Sequence, residues 1–201
     1  MTEDRAIYKQ VAELHFHGIN QGFLATLGQS FLALLYEAID ESDGAVLITE
    51  SKNGIVVGFV SGASSLGPVY RSLLWRFHRL VISLAPVLVS PSKIWRITEL
   101  LLHNLFPSRS VIGQTKYTLP EFELLSISVL PEERRNRVAK RLYNRLVDYA
   151  RCHELSGFKI VVGEQLEDAH KFYARMGAAP VARIFVHGKD ESMVYVQQVF
   201  P

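Results

Sequence analysis

The chain has 201 residues, of which 48% are hydrophobic, so it is long enough for one ordinary domain with a continuous core and short for two. With 22 basic against 20 acidic residues its net charge is +2, which excludes a general polyanion binder and an acidic solvating protein and makes any attraction for anions local. A single cysteine, Cys152, excludes an internal disulfide framework, and the opening MTEDRAIYKQ lacks the basic and apolar run of a signal peptide, so a cytoplasmic location is expected.

From Asn20 onward Phe23, Leu27, Phe31, Leu34, Leu35 and Ile39 recur every three or four positions, which predicts an amphipathic helix ending near Ser42. Two strand-like runs follow, Ala45–Glu50 and Ile55–Ser61. The Asn53-Gly54 pair between them predicts an antiparallel hairpin. Residues 66–106 read as helices broken by prolines, and Ser108–Thr118 as a loop. The uncharged run Leu80–Ser92 is too short for a membrane span and is interrupted by Pro86 and Pro91, so the chain is not expected to be an integral membrane protein.

The second half alternates cleanly. Phe122–Val129 reads as a strand stopped by Pro131, Asn136–Leu155 as a helix, Phe158–Val162 as a buried strand and Glu167–Met176 as a helix, with Val181–His187 and Ser192–Val199 as closing strands. One strand, helix, strand unit among antiparallel pairs implies an α/β fold in the α+β sense. Its central sheet is mixed and mostly antiparallel, helices cover both faces, and a helical insert at about 66–106 follows the first hairpin, all within one domain spanning 1–201.

The segment between the strand at 122–129 and the helix after it carries most chemical information. A helix start exposes free N–H groups and a partial positive charge, and here Arg134, Arg135, Arg137, Lys140 and Arg141 crowd that same end. A bound pyrophosphate would balance this charge; so would RNA, an acidic lipid or simple solvation. Other constellations carry less. His15 and His17 have no cluster of further ligands at metal spacing, Cys152 and His153 are adjacent and face apart, and no serine sits in a nucleophile elbow, so neither a metal nor a thiol or serine nucleophile is expected.

Arg134-Arg-Asn-Arg137-Val-Ala139 resembles the Gln/Arg-x-x-Gly-x-Gly/Ala signature of the GNAT superfamily of N-acetyltransferases. About 35 residues on, Ala169-His-Lys-Phe172-Tyr173-Ala-Arg-Met-Gly177-Ala is similar to the family's Ala-x-x-Phe-Tyr-x-x-x-Gly-Phe stretch. The N-terminal helix pair and the Val57–Val60 run also resemble the family's opening half. The resemblance implies an enzyme that moves an acetyl group from acetyl-CoA, as co-substrate, to a primary amine, by direct attack and without a metal. It implies that Ile127 and Val129 offer backbone groups to the pantetheine arm. The amides of Arg135, Asn136, Arg137, Val138, Ala139 and Lys140, beside Arg134, would hold the pyrophosphate.

By the same resemblance Tyr173 occupies the position of the general acid and Glu123, eleven residues before Arg134, that of a candidate base; Glu164 and His187, at or just beyond strand ends, are weaker candidates, and water alone is a further relay. The expected partner is a small amine or amino-sugar acceptor, with no nucleic acid. Two positions depart from the pattern: Arg137 stands where the family has glycine, and Leu166 where it often has asparagine. These departures motivate the alternative of a non-catalytic CoA-binding or regulatory module. The apolar insert, with Tyr70, Leu73, Leu74, Phe77, Leu80 and Val81 at helical spacing plus Trp75 and Trp95, is expected either to wall the acceptor site or to complete the core as a helical layer.

Overall fold

The computed structural model describes residues 2–19, 24, 27–84, 118–186 and 190–200. Two helices open it, α1 (Thr2–Gly18) and α2 (Gln29–Asp40). Of these, α1 has no counterpart in the periodicity reading, since its first half alternates charge without a clean apolar stripe. The later part of the helix predicted from Asn20 is realised as α2, which starts only at Gln29 after Gly28; residues 20–23 and 25–26 lie outside the described residues. Its residues Phe31, Leu32, Leu34, Leu35, Tyr36 and Ile39 are all buried.

The hairpin of β1 (Ala45–Lys52) and β2 (Ile55–Ala63) closes as predicted. Lys52 pairs with Ile55, and both turn residues have positive φ, 54° at Asn53 and 78° at Gly54, the requirement of a tight two-residue turn. Then come α3 (Gly67–Trp75) and α4 (Phe77–Leu84), the described part of the insert; Trp95 and the remainder, residues 85–117, lie outside the described residues.

The second half runs β3 (Glu123–Val129), a 3-10 helix (Pro131–Asn136), α5 (Val138–Cys152), β4 (Gly157–Gly163), α6 (Glu167–Arg175), β5 (Ala179–Val186) and β6 (Asp190–Gln198). The six strands form one sheet in the order β1-β2-β3-β4-β6-β5, antiparallel except where β3 meets β4. The mixed, mostly antiparallel sheet with helices on both faces is the architecture expected from the sequence.

Two cores sandwich this sheet. Val11, Phe31, Leu32, Tyr36, Phe59, Val69 and Leu73 fill the side covered by α1, α2 and α3. Val60, Leu124, Val138, Leu142, Tyr143, Leu146, Phe158, Ile160 and Tyr173 fill the side covered by α5 and α6. β2 is buried along nearly its whole length because both layers cover it.

The insert resolves one expectation. Val69, Tyr70, Leu73 and Leu80 are buried in the α1–α2 core, and Arg79 grips Glu37 of α2 through two hydrogen bonds of 2.9 and 2.6 Å, while Arg76 pairs with Glu41. The described part of the insert is therefore a helical layer on α2, with Trp75, 84% exposed, facing away.

Candidate active site

β3 departs from a regular strand at two places, and together they open the sheet. Ser61 pairs with Ser126 and Gly62 with Leu124, so Leu125 is an extra residue and β3 bulges there. The ladder to β4 holds only Glu123↔Lys159 and Leu124↔Ile160 before the strands part. The N–H of Leu130 donates to the carbonyl of Val57. Antiparallel ladders alternate, so the odd residues Ile127 and Val129 turn their N–H and C=O groups away from β2 and into the gap beside β4. These are the two residues that the family resemblance expects to meet a pantetheine arm.

At the end of β3 the chain enters the 3-10 helix carrying Arg134, Arg135 and Asn136, then Arg137 with φ 58° and ψ 19°, then α5. The position where the resembled signature has glycine is thus in the left-handed region, and an arginine holds it at a cost of about 1 kcal/mol.

The first helical bond of α5 runs from the Arg141 N–H to the Arg137 carbonyl, and no side chain caps the helix. The N–H groups of Val138, Ala139 and Lys140 consequently have no intrahelical acceptor. α5 is seated tightly on the sheet: a Cβ at Gly58 would lie 2.9 Å from Val138, 3.0 Å from Leu142 and 3.1 Å from the Ser128 carbonyl. Glycine at 58 lets the first turn of α5 approach β2 this closely.

The cations near this turn divide into two groups. Arg141 is taken by Glu50 of β1, with Nε 3.0 Å from Oε1 and Nη2 2.5 Å from it, and its Nη1 donates to the Asn136 carbonyl at 2.7 Å. Among the described residues Arg134, Arg135, Arg137 and Lys140 enter no ion pair, and all four are exposed. The sequence put Arg141 with the others; the structure sets it apart as a structural clamp.

Tyr173 lies on α6, 5% exposed, its ring 6.1 Å from those of both Tyr143 and Tyr195. Burial pushes its hydroxyl well above the ordinary tyrosine range, so it is protonated at neutral pH. Glu123 opens β3. Because Phe122 and Leu124 pack in the α5-side core, Glu123 projects from the opposite face, half-buried, with its carboxylate 3.6 Å from Lys159. Burial raises its pKa, and the lysine charge partly opposes that. The two predicted catalytic groups thus stand on opposite faces of the sheet, Glu123 at the end where β3 and β4 are still paired.

On the Glu123 face a buried polar chain reaches the bulge. His15 Nδ1 lies 2.6 Å from the Tyr36 hydroxyl, Tyr36 2.9 Å from Ser126 Oγ, and Ser126 2.8 Å from Ser61 Oγ. Neither this chain nor the Glu50–Arg141 pair was found by sequence reasoning, since their partners are 21 to 91 positions apart and no local pattern links them.

Glu164 pairs with Arg183 at 3.5 Å on the surface, and His187 lies outside the described residues. Leu166 is the N-cap of α6, 39% exposed, and makes no capping bond. Among the described residues no cluster of potential metal ligands occurs, and no helix is long and apolar enough to cross a membrane.

A strand that parts from its parallel neighbour runs here through a tight turn into a helix whose first amides are uncapped and ringed by cations. Residues 98–178 match the model of the acetyltransferase (GNAT) family, and the chain has the GNAT acetyltransferase fold. Among solved structures, it is similar to aminoglycoside 6'-acetyltransferase type Ii, with a TM-score of 0.59 at 14% identity over 98% of this chain and 92% of that one. It is also similar to an aminoglycoside 6'-N-acetyltransferase complexed with coenzyme A, with a TM-score of 0.57 at 12% identity over 98% and 92%. A third similar structure is smu.2055 from Streptococcus mutans UA159, with a TM-score of 0.56 at 15% identity over 98% and 96%. No curated protein matches the sequence at a significant level.

Proposed function

We propose that the protein is an N-acetyltransferase that carries an acetyl group from acetyl-CoA to a primary amine. The observation that carries the reading is the continuity of three features: the parting of β3 from β4, the uncapped α5 amides, and four cations around them that enter no ion pair among the described residues. In this reading Ile127 and Val129 bind the pantetheine arm. The amides from Arg135 to Lys140, with Arg134 beside them, bind the pyrophosphate, where helix dipole and arginine charge act together.

The amine attacks the thioester carbonyl, which a β3 N–H polarises; the C–N bond forms, the C–S bond breaks, and Tyr173 gives its proton to the departing thiolate. Glu123, on the other face, accepts a proton from the amine, and its raised pKa suits it to that task. The acceptor is a small amine or amino sugar. Support for that class comes from the aminoglycoside acetyltransferases among similar structures, which share the fold.

The test has two parts. Calorimetry with CoA establishes binding, and a thiol-release assay with acetyl-CoA against aminoglycosides, polyamines, amino acids and peptides establishes turnover. Tyr173→Phe is expected to lower turnover by about 10²-fold with CoA binding retained. CoA binding without turnover on any amine favours a non-catalytic CoA-binding module, to which Arg137 and Leu166 would then be adaptations.

A further inference from the structure

The turn that aims the α5 amides is held from outside, by a residue of the first hairpin. Arg137 sits in a backbone region that an L-residue occupies only under constraint. The two carbonyls flanking it, those of Asn136 and Arg137, are both bound by Arg141, the first through the guanidinium at 2.7 Å and the second through the backbone N–H at 3.0 Å. A trans peptide points its C=O and N–H in opposite directions. Fixing the Asn136 carbonyl therefore fixes the Arg137 N–H, and fixing the Arg137 carbonyl fixes the Val138 N–H. Both N–H groups are turned away from the clamp.

The guanidinium holds this position because Glu50 on β1 receives it through both carboxylate oxygens, with Nε 3.0 and 3.3 Å from them. A second tie runs parallel: Lys52 of β1 pairs with Glu133 at 2.7 Å, and Glu133 in turn accepts from Asn136. A third, from Arg145 to the Thr49 carbonyl at 2.7 Å, fastens the next turn of α5 to the same strand. Isolated exposed ion pairs add little to stability, but a bidentate pair within a network of this kind fixes geometry.

We infer that Glu50, acting through Arg141, is a positioning residue for the pyrophosphate of CoA: it keeps the Arg141 guanidinium on the Asn136 carbonyl, and so keeps the Arg137 amide turned toward the phosphate beside the Val138 amide that the helix itself orients. This rests on the pyrophosphate assignment proposed above.

The experiment compares the wild-type chain with Glu50→Gln and Arg141→Lys, using CoA as the probe. Calorimetry gives the Kd, and phosphorus NMR at saturating CoA reports the surroundings of the bound pyrophosphate. The expected result is a Kd about tenfold higher in both variants. The bound pyrophosphate resonances should move toward their free positions, while the unliganded thermal transition stays close to wild type. An unchanged or tighter Kd in Glu50→Gln overturns the inference, because it would mean that the freed Arg141 serves the phosphate as well or better. A higher Kd with wild-type phosphorus resonances overturns it too, since that pattern reports general loosening. If the wild-type chain itself fails to bind CoA, the pyrophosphate assignment falls, an outcome distinct from either.

Discussion

Arg137 carries opposing demands in one residue. Its backbone prefers glycine, because a Cβ at φ 58° crowds the following carbonyl. Its side chain adds a positive charge beside the turn proposed to take a pyrophosphate. Arg137→Gly is therefore expected to raise the stability of the unliganded protein by about 0.5–1 kcal/mol, read from denaturant unfolding, while weakening CoA binding in calorimetry. His15 gives a pH prediction. Burial alone pushes it from 6.5 down to about 4. The folded state thus binds this proton less readily than the unfolded state, so the contribution is complete above pH 6.5 and is lost as pH falls toward 4. The difference is worth about 3 kcal/mol. In His15→Gln the decline in thermal stability across that window should be visibly shallower than in the wild type. The crowding of Arg134, Arg135 and Arg137 at a helix start was legible in the sequence because those residues are neighbours along the chain. His15 was read as unremarkable, because what buries it, Tyr36 and Phe59, arrives from elements 21 and more positions away.

At the scale of elements, short-range chemistry was the best guide. The Asn-Gly turn, the strand stopped by Pro131 and the apolar stripe of α5 were all readable because each depends on neighbours within a few residues. The insert was harder, since its apolar content did not say which side chains face α2. In the structure Leu73 is fully buried and Trp75, two positions on, is exposed. Leu73→Ala is expected to cost about 2–5 kcal/mol in unfolding free energy. Trp75→Ala should stay within about 0.5 kcal/mol of wild type. A large stability loss from Trp75→Ala would contradict the packing of α3 described above. The bulge at Leu125 escaped sequence reading altogether, because the extra residue follows from the pairing of Ser61 and Gly62 on another strand.

For the whole molecule, the sequence conveyed the layer order but not the weakness at its centre. Six strands read as one sheet, yet among the described residues two residue pairs alone join the three strands on one side to the three on the other. The helices do much of the remaining joining: α5 packs on β2 through Val138 and Leu142 and meets α6 through Tyr143 and Tyr173. In mechanical terms the sheet is a seam with its lower end stitched. A pantetheine arm lying along Ile127 and Val129 would act as the missing thread, accepting and donating where a neighbouring strand does so in an ordinary sheet. The ligand would then be a structural member as well as a reactant. Hydrogen exchange should show it: the Ile127 and Val129 amides are expected to exchange quickly in the free protein and slow by at least tenfold with saturating CoA, whereas the Ser128 amide, which faces β2, should be protected in both.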